Sequence, residues 1–209
     1  LPSKLNEKGY MGKILPEGLF DEQQLSGHNW MVRGLIEYYL WKKDSTIETM
    51  IRKMVTNLYK PLIGAYKAYP VLPEERTFEG EAAGNLTGQL IGKWYISTDT
   101  GCAYMSLDGL TQYYEVFRET WAYDLIVEMI DTFTKIDFLK LSMQTHASLT
   151  ATRGIIRMFE TTGNPGYLKF ATEFFHLYTS QGMTENYANY NWFERPHWTE
   201  PCAIVDSYM

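Results

Sequence analysis

Three segments of the chain share one arrangement of apolar and polar positions over about twenty residues each. Each segment begins with a glycine followed by an aliphatic residue, and an aromatic residue stands five positions after that glycine. These positions are Gly34 with Tyr39, Gly109 with Tyr114, and Gly154 with Phe159. Further apolar residues recur at the spacing of one helix face. The pattern therefore predicts three copies of one helical unit, with the aromatic residues in the core.

A polar break divides each unit into two helices, at residues 42–45, 118–120 and 161–165. The third break is the clearest, because Gly163 suits the position after a helix and Pro165 suits the first turn of the next one. Each unit is therefore predicted to be a helical hairpin. Since one hairpin cannot bury its apolar faces, we expect the hairpins to stack into a solenoid or close into a toroid.

A long insertion separates the first two units. Residues 65–105 are rich in glycine, include Pro70 and Pro73, and predict loops with one short strand around Trp94, Tyr95 and Ile96. In repeat proteins such insertions gather on one face, which is often the binding face. The whole chain, residues 1–209, is predicted to be a single all-α domain.

Residues 203–209 have the pattern of a further first-type helix that stops after about two turns. An array that ended there would leave the apolar side of its last hairpin uncovered. We therefore expect either further sequence, roughly the other half of a toroid, or a partner subunit that completes it.

Charge and composition narrow the classes of function. The chain has 19 Lys and Arg against 25 Asp and Glu, with no basic run, which argues against a nucleic-acid partner. It has no apolar run of membrane-spanning length and no leading signal segment, so we expect a soluble protein, cytoplasmic, periplasmic or secreted. Two cysteines cannot staple a disulfide scaffold. The 15% aromatic content favours a bulky helical core or a carbohydrate-binding surface.

The richest chemistry lies in residues 182–202, and the motifs typical of nucleotide enzymes and zinc peptidases are absent. Two carboxylates at close range can act as an acid and base pair, and Glu185 and Glu200 are the candidates. An alternative is an Ω-like loop whose polar side chains bond to its own backbone. The side chains expected to contact a sugar are Tyr187, Tyr190, Trp192, His197 and Trp198.

Two further groups are candidates for the site. His28 and His146 each precede a repeat glycine by a few residues, so both are expected at the start of equivalent helices, where they either bind substrate or cap the helix. Glu200 and Cys202 could offer an oxygen and a thiolate to zinc, although two ligands do not make a closed site. Cys102 is predicted to be a small buried apolar residue.

The order of several short motifs resembles the β-L-arabinofuranosidase-like glycoside hydrolases, a family first known as a domain of unknown function. The resemblance covers most of the chain and is weakest in residues 65–105. The motifs are Gly9-Tyr10-Met11-Gly12, Gly27-His28, Thr145-His146-Ala147, Thr162-Gly163-Asn164-Pro165, Glu185 and Thr199-Glu200-Pro201-Cys202.

The resemblance implies an (α/α)6 toroid and an exo-acting, retaining glycosidase that releases a sugar such as β-L-arabinofuranose from a plant or microbial glycan. It implies that Glu185 is the acid/base, that His28 and His146 bind the sugar, and that Glu200 and Cys202 hold zinc with further cysteines. Pro201 departs from the Thr of the family motif, and the family's nucleophile cysteines would lie beyond residue 209. Without those cysteines, Glu185 and Glu200 remain as the catalytic pair.

Two other functions stay open. One is an unsaturated-uronide hydrolase or lyase-like enzyme on the same toroid. The other is a carbohydrate-binding helical repeat protein without catalysis, which sugar binding without turnover would indicate.

Overall fold

The computed structural model describes residues 2–76, 88–196 and 199–209. These residues are mostly helical, with a small three-stranded sheet. The helices are α1 (Glu22–Lys42), α2 (Ser45–Tyr59), α3 (Ser106–Phe117), α4 (Thr120–Phe133), α5 (Thr145–Thr162), α6 (Pro165–Leu177) and α7 (Pro201–Tyr208). The strands are β1 (Phe20–Asp21), β2 (Leu90–Ile91) and β3 (Trp94–Tyr95).

The three predicted hairpins are confirmed as α1–α2, α3–α4 and α5–α6, each with its turn at the expected polar break. Local signals explain the boundaries. Asp44 and Asn164 cap α2 and α6 by accepting backbone N–H groups through their side chains, and Pro165 occupies the first turn of α6. The short strand predicted around Trp94 is confirmed as β3, which pairs in parallel with β1 and antiparallel with β2.

The first helices of the units form one layer. α1 packs on α3, α3 on α5 and α5 on α7, while α2, α4 and α6 pack on the outside of their own partners. A continuous core lies between the layers and includes Ile36, Met54, Ile126 and Met129, all fully buried. The stacking order of the hairpins therefore follows the chain.

Two of the three repeat glycines, Gly109 and Gly154, lie at contacts between neighbouring first helices. A Cβ on Gly109 would lie 2.8 Å from Asn29 Oδ1 on α1, and a Cβ on Gly154 would lie 2.7 Å from the Leu107 backbone on α3. Any side chain at these two positions would push the helices apart. Gly34 stands at the same repeat position on α1, but nothing lies within 4 Å of its would-be Cβ.

The repeat aromatics, predicted to lie in the core, are partly buried, and Tyr39 and Tyr114 pack against the buried core. Tyr39, Tyr114 and Phe159 lie in the last turn of their helices, where each carbonyl accepts the N–H of a left-handed residue that ends the helix. That residue is Lys43, Arg118 or Gly163. The Lys43 and Arg118 cations lie 5.5 and 5.4 Å from the rings of Tyr39 and Tyr114. The repeated spacing of glycine and aromatic residue therefore places the aromatic side chain at a helix end.

Replacing Gly163 by Ala is expected to lower the free energy of unfolding by about 1 kcal/mol, because its φ of 72° disfavours any side chain. The matched control is Gly34→Ala, in the open interior of α1, which should raise stability by about 0.5 to 1 kcal/mol. Urea unfolding measures both variants. Shifts of the same sign would contradict this account of the two glycines.

The insertion packs against the start of α1. Tyr66, Tyr69, Trp94 and Tyr104 form a buried aromatic cluster with ring centroids 5.0 to 5.2 Å apart for the closest pairs. Beside it, the buried Arg76 guanidinium pairs with the buried Glu22 carboxylate at the first turn of α1. Much of the aromatic excess therefore serves the core, and residues 65–76 and 94–105 of the insertion pack against the rest of the chain.

In the part of the chain that the structure describes, every helix is too short or too polar to qualify as a membrane span.

Candidate functional site

A cleft of about 280 Å³ opens where the N-terminal ends of α1, α5 and α7 meet the end of the insertion. Its walls combine carboxylates, an imidazole, an indole, hydroxyls and an amide. The lining residues are Gln23, Ser26, Trp30, Ser97, Asp99, Cys102, Met105, Gln144, His146 and Glu200. Such a small concave site with a few convergent polar groups is the usual form of a ligand-binding or active site.

Two carboxylates share this cleft. Burial raises the pKa of Asp99 to about 6, and the negative charge of Glu200 adds to the rise while His146 opposes it. Glu200 accepts a hydrogen bond of 3.1 Å from Gln144 Nε2. A carboxyl group whose pKa lies near neutral is still partly protonated at neutral pH, so it can donate that proton to a substrate. An aspartate with an ordinary pKa is ionised at neutral pH and has no proton to donate.

His146 is held by α7. Its Nδ1 lies 2.5 Å from Asp206 Oδ2, and Thr150 Oγ1 donates to the same oxygen at 2.7 Å. Burial tends to raise the pKa of Asp206, but the hydrogen bonds from His146, Arg153 and Thr150 outweigh it and lower that pKa. A carboxylate on Nδ1 fixes the imidazole and leaves Nε2 as the atom to interact with a ligand.

Trp30 supplies an apolar wall. Its side chain is 42% exposed, and its ring stacks on the His146 ring with centroids 5.9 Å apart and planes 8° apart. An exposed indole in a polar cleft is a typical platform for the apolar face of a sugar. Trp30 and Asp99 were not singled out from the sequence. The available signal was the position of Trp30 on α1, two residues after His28.

His28 lies in the interior instead of in this cleft. Its Nε2 accepts the Met11 N–H at 2.9 Å, so its Nδ1–H donates to the Gln24 carbonyl at 2.6 Å. Both ring nitrogens are therefore used by the backbone, and neither is free for a sugar. This corrects the predicted substrate contact: His28 fastens the N-terminal segment to α1.

Replacing His28 by Gln is expected to flatten the pH dependence of stability between about pH 5 and 7. Burial lowers the pKa of His28 in the folded protein, so the unfolded chain binds the proton more readily. Its contribution to stability is complete above the ordinary pKa and is lost as the pH falls below it. Urea unfolding across this range measures the slope.

The control is His176→Gln, because His176 is exposed on α6. This variant should show the same slope of stability against pH as the wild type. An identical slope in His28→Gln and the wild type would contradict a neutral, backbone-bonded His28.

The stretch 182–196 is mostly a self-bonded loop. Glu185 and Tyr187 are exposed and lie outside the lining of the cleft, and Tyr190 is half-buried. Thr184 and Asn189 bond to groups within the loop, as the Ω-like alternative predicted. Trp192 is only 4% exposed, so it presents no face to a sugar, and its predicted substrate contact is corrected. His197 and Trp198 lie outside the described residues.

The two predicted zinc ligands, Glu200 and Cys202, contact each other, but the described residues add no third ligand. A hydrogen bond with Glu200 contributes, after burial, to raising the pKa of the exposed Cys202 thiol. Among residues 2–76, 88–196 and 199–209, no group of three or more His, Cys, Asp or Glu side chains could hold a metal ion. Two donors do not fit a tetrahedral zinc site, so zinc stays a prediction that needs donors from elsewhere.

Cys102 is buried, as predicted for a small apolar residue, and burial raises the pKa of its thiol well above the usual value. Its Sγ–H faces Glu22 Oε2 at 3.8 Å. A thiol held in its protonated form is a poor nucleophile, so Cys102 serves the wall of the cleft.

Comparison with family models, with curated proteins and with solved structures gives no match.

Proposed function

We propose that the chain carries the active site of a glycoside hydrolase in the cleft of Asp99 and Glu200. The observation that carries the proposal is the raised pKa of Asp99 beside a second carboxylate. Glycoside hydrolysis commonly uses two carboxylic groups in different protonation states. The indole of Trp30 and the imidazole of His146 on the same wall suit a sugar ring, which has an apolar face and polar edges.

In this mechanism Asp99 donates its proton to the glycosidic oxygen as that bond breaks. Glu200, held by Gln144, faces the positive charge that develops on the sugar ring. The oxygen of an incoming water then bonds to the anomeric carbon while the Asp99 carboxylate takes one of its protons, which gives the free sugar and restores the acid. His146, oriented by Asp206, hydrogen-bonds a sugar hydroxyl through Nε2.

The resemblance supports a more detailed version, in which Glu185 is the acid/base, zinc is held by Glu200 and Cys202 with further cysteines, and the sugar is one such as β-L-arabinofuranose. It also places the stacked helices in an (α/α)6 toroid, completed by further chain or a partner subunit. The layer of α1, α3, α5 and α7 suits the inner ring of such a toroid. An exo-acting, retaining reaction belongs to this version.

The test is hydrolysis by the full-length protein of a panel of aryl glycosides, including β-L-arabinofuranosides, and of plant oligosaccharides. Glu200→Gln should lower turnover at least about a hundredfold. Glu173→Gln, an exposed glutamate on α6, should match the wild type.

Glu185→Gln separates the two versions. If Glu185→Gln keeps a turnover near that of the wild type while Glu200→Gln loses turnover, the cleft carries the chemistry. If Glu185→Gln loses turnover and Glu200→Gln keeps it, the assignment of the cleft pair is wrong. Sugar binding without turnover by the wild type would instead indicate a binding module.

A further inference from the structure

Three arginines converge on one buried carboxylate beside the cleft. Arg33 Nε, Arg153 Nη2 and Arg157 Nη1 lie 2.9, 2.6 and 2.6 Å from oxygens of Asp108, whose side chain is fully buried. Arg153 also contacts Asp206 at 2.7 Å. We call these five residues the arginine cluster. It joins the inward faces of α1, α3, α5 and α7.

Positive charge exceeds negative charge in the arginine cluster. Three guanidinium groups face two carboxylates, and one of these, Asp206, is shared with His146. The nearby acids compensate little, because Glu115 is half-exposed and 3.8 Å from Arg157, while Glu37 contacts Gln112. Burial, together with repulsion from Arg153 and Arg157, lowers the pKa of Arg33 despite the attraction of Asp108.

Arg33 combines free donors with a position beside Trp30. Its Nε lies 2.9 Å from Asp108 Oδ2 but is not aligned for a hydrogen bond, and the described residues give its two terminal amino groups no hydrogen bond. Arg157 also has an unbonded terminal nitrogen, Nη2, because its hydrogen bonds to Asp108 and Thr111 all run through Nη1. Arg153, by contrast, uses all three of its nitrogens on Asp108 and Asp206. The Arg33 side chain is 18% exposed, so an anion can reach it. A fork of two parallel N–H donors matches the two oxygens of a carboxylate.

Arg33 is also next to the indole platform. Its guanidinium carbon lies 5.2 Å from the centroid of Trp30, which lines the cleft, and Arg153 lies 5.8 Å from the same ring. A sugar placed on the exposed part of Trp30 would therefore bring a substituent at its edge within reach of the terminal amino groups of Arg33.

We propose that the sugar bound in this cleft carries a carboxylate, and thus is a uronic acid unit, with its ring on Trp30 and its carboxylate on the terminal amino groups of Arg33. This rests on the version of the proposed function in which Asp99 and Glu200 are the pair, and it names the substrate class of that site, in place of the neutral arabinofuranose of the other version. An anionic ligand supplies the charge that the cluster lacks, whereas a neutral sugar leaves it unbalanced.

The test is isothermal titration of the full-length protein with sugars that differ only at one carbon: methyl glucuronide against methyl glucoside, and methyl galacturonide against methyl galactoside. The wild type should bind at least one uronide about tenfold or more tightly than its neutral partner. Arg33→Met should bring the pair to within about threefold. The control is Lys169→Met, which removes one positive charge from an exposed lysine on α6. This variant should keep the preference of the wild type for the uronide.

Arg33→Lys guards against a variant that fails to fold, since it keeps the charge but loses the fork and should give an intermediate preference. Equal affinity of the wild type for both members of each pair overturns the proposal, as does an unchanged preference in folded Arg33→Met. Hydrolysis of neutral glycosides without a preference for uronides would contradict this inference but agree with the proposed hydrolase function. Selective binding of uronides without hydrolysis of any glycoside would agree with this inference but contradict the proposed hydrolase function.

Discussion

Asp99→Asn is expected to lower the turnover of glycosides by about a thousandfold, because an amide cannot supply the proton that the leaving oxygen needs. In the wild type, kcat/KM should fall as the pH rises through about 6, where Asp99 loses its proton. That alkaline limb should be missing from the residual activity of the variant. Steady-state kinetics over a pH series measure both effects.

The identity of the leaving group separates proton donation from damage to the fold. A glycoside of a strongly acidic phenol needs little protonation, so the loss in Asp99→Asn should shrink for that substrate. Asp131→Asn, an exposed aspartate paired with Lys135, is the matched control and should behave as the wild type. An equal loss for good and poor leaving groups, or a persisting limb near pH 6, would remove Asp99 from the acid role.

Arg76→Met is expected to lower the free energy of unfolding by about 3 to 5 kcal/mol, the usual cost of leaving one member of a buried ion pair uncompensated. The Glu22 carboxylate would keep the Ser97 N–H, at 2.8 Å, the Tyr69 hydroxyl and the weak Cys102 thiol, but it would lose its cationic partner. Arg76 also donates hydrogen bonds to the carbonyls of Pro70 and Ser97. Its loss therefore removes a bond that holds the segment after β3, which carries Asp99. Urea unfolding at neutral pH measures the change.

Two variants test the cause. Arg76→Met combined with Glu22→Gln removes the stranded charge and should recover a large part of the loss. Arg52→Met breaks a partly exposed pair with Glu48 and Glu119 and should cost no more than about 1 kcal/mol. If the double variant is less stable than Arg76→Met, or if Arg76→Met matches Arg52→Met, charge burial is not the cause.

The hairpins could be predicted because their signals are local. Asp44 and Asn164 cap the helix that follows, and Gly163 ends the helix before it, whatever the rest of the chain does. The role of the repeat glycines required the structure. Whether a glycine faces a neighbouring helix, as Gly154 does, or open space, as Gly34 does, depends on contacts between distant parts of the chain.

Only part of the cleft could be predicted from the sequence. Glu200 and His146 were singled out, and both line it. The stretch 182–196 misled, because its polar and aromatic side chains look functional whether they face a ligand or, like Trp192, the interior. Asp99 carries no unusual neighbours in the sequence. Its raised pKa arises from burial and from Glu200, about a hundred residues away, and sequence reasoning does not supply that proximity.

The arginine cluster has a consequence for how the repeats fold. In many helical arrays each unit depends only on its immediate neighbour, so stability spreads along the chain in steps. Here Asp108 ties α3 to both α1 and α5, and Asp206 ties α7 to α5 through Arg153 and His146. The orientation of His146 in the cleft therefore depends on the docking of α7. We expect undocking of α7 to go together with loss of ligand binding, so that activity itself reports the cooperativity of the fold.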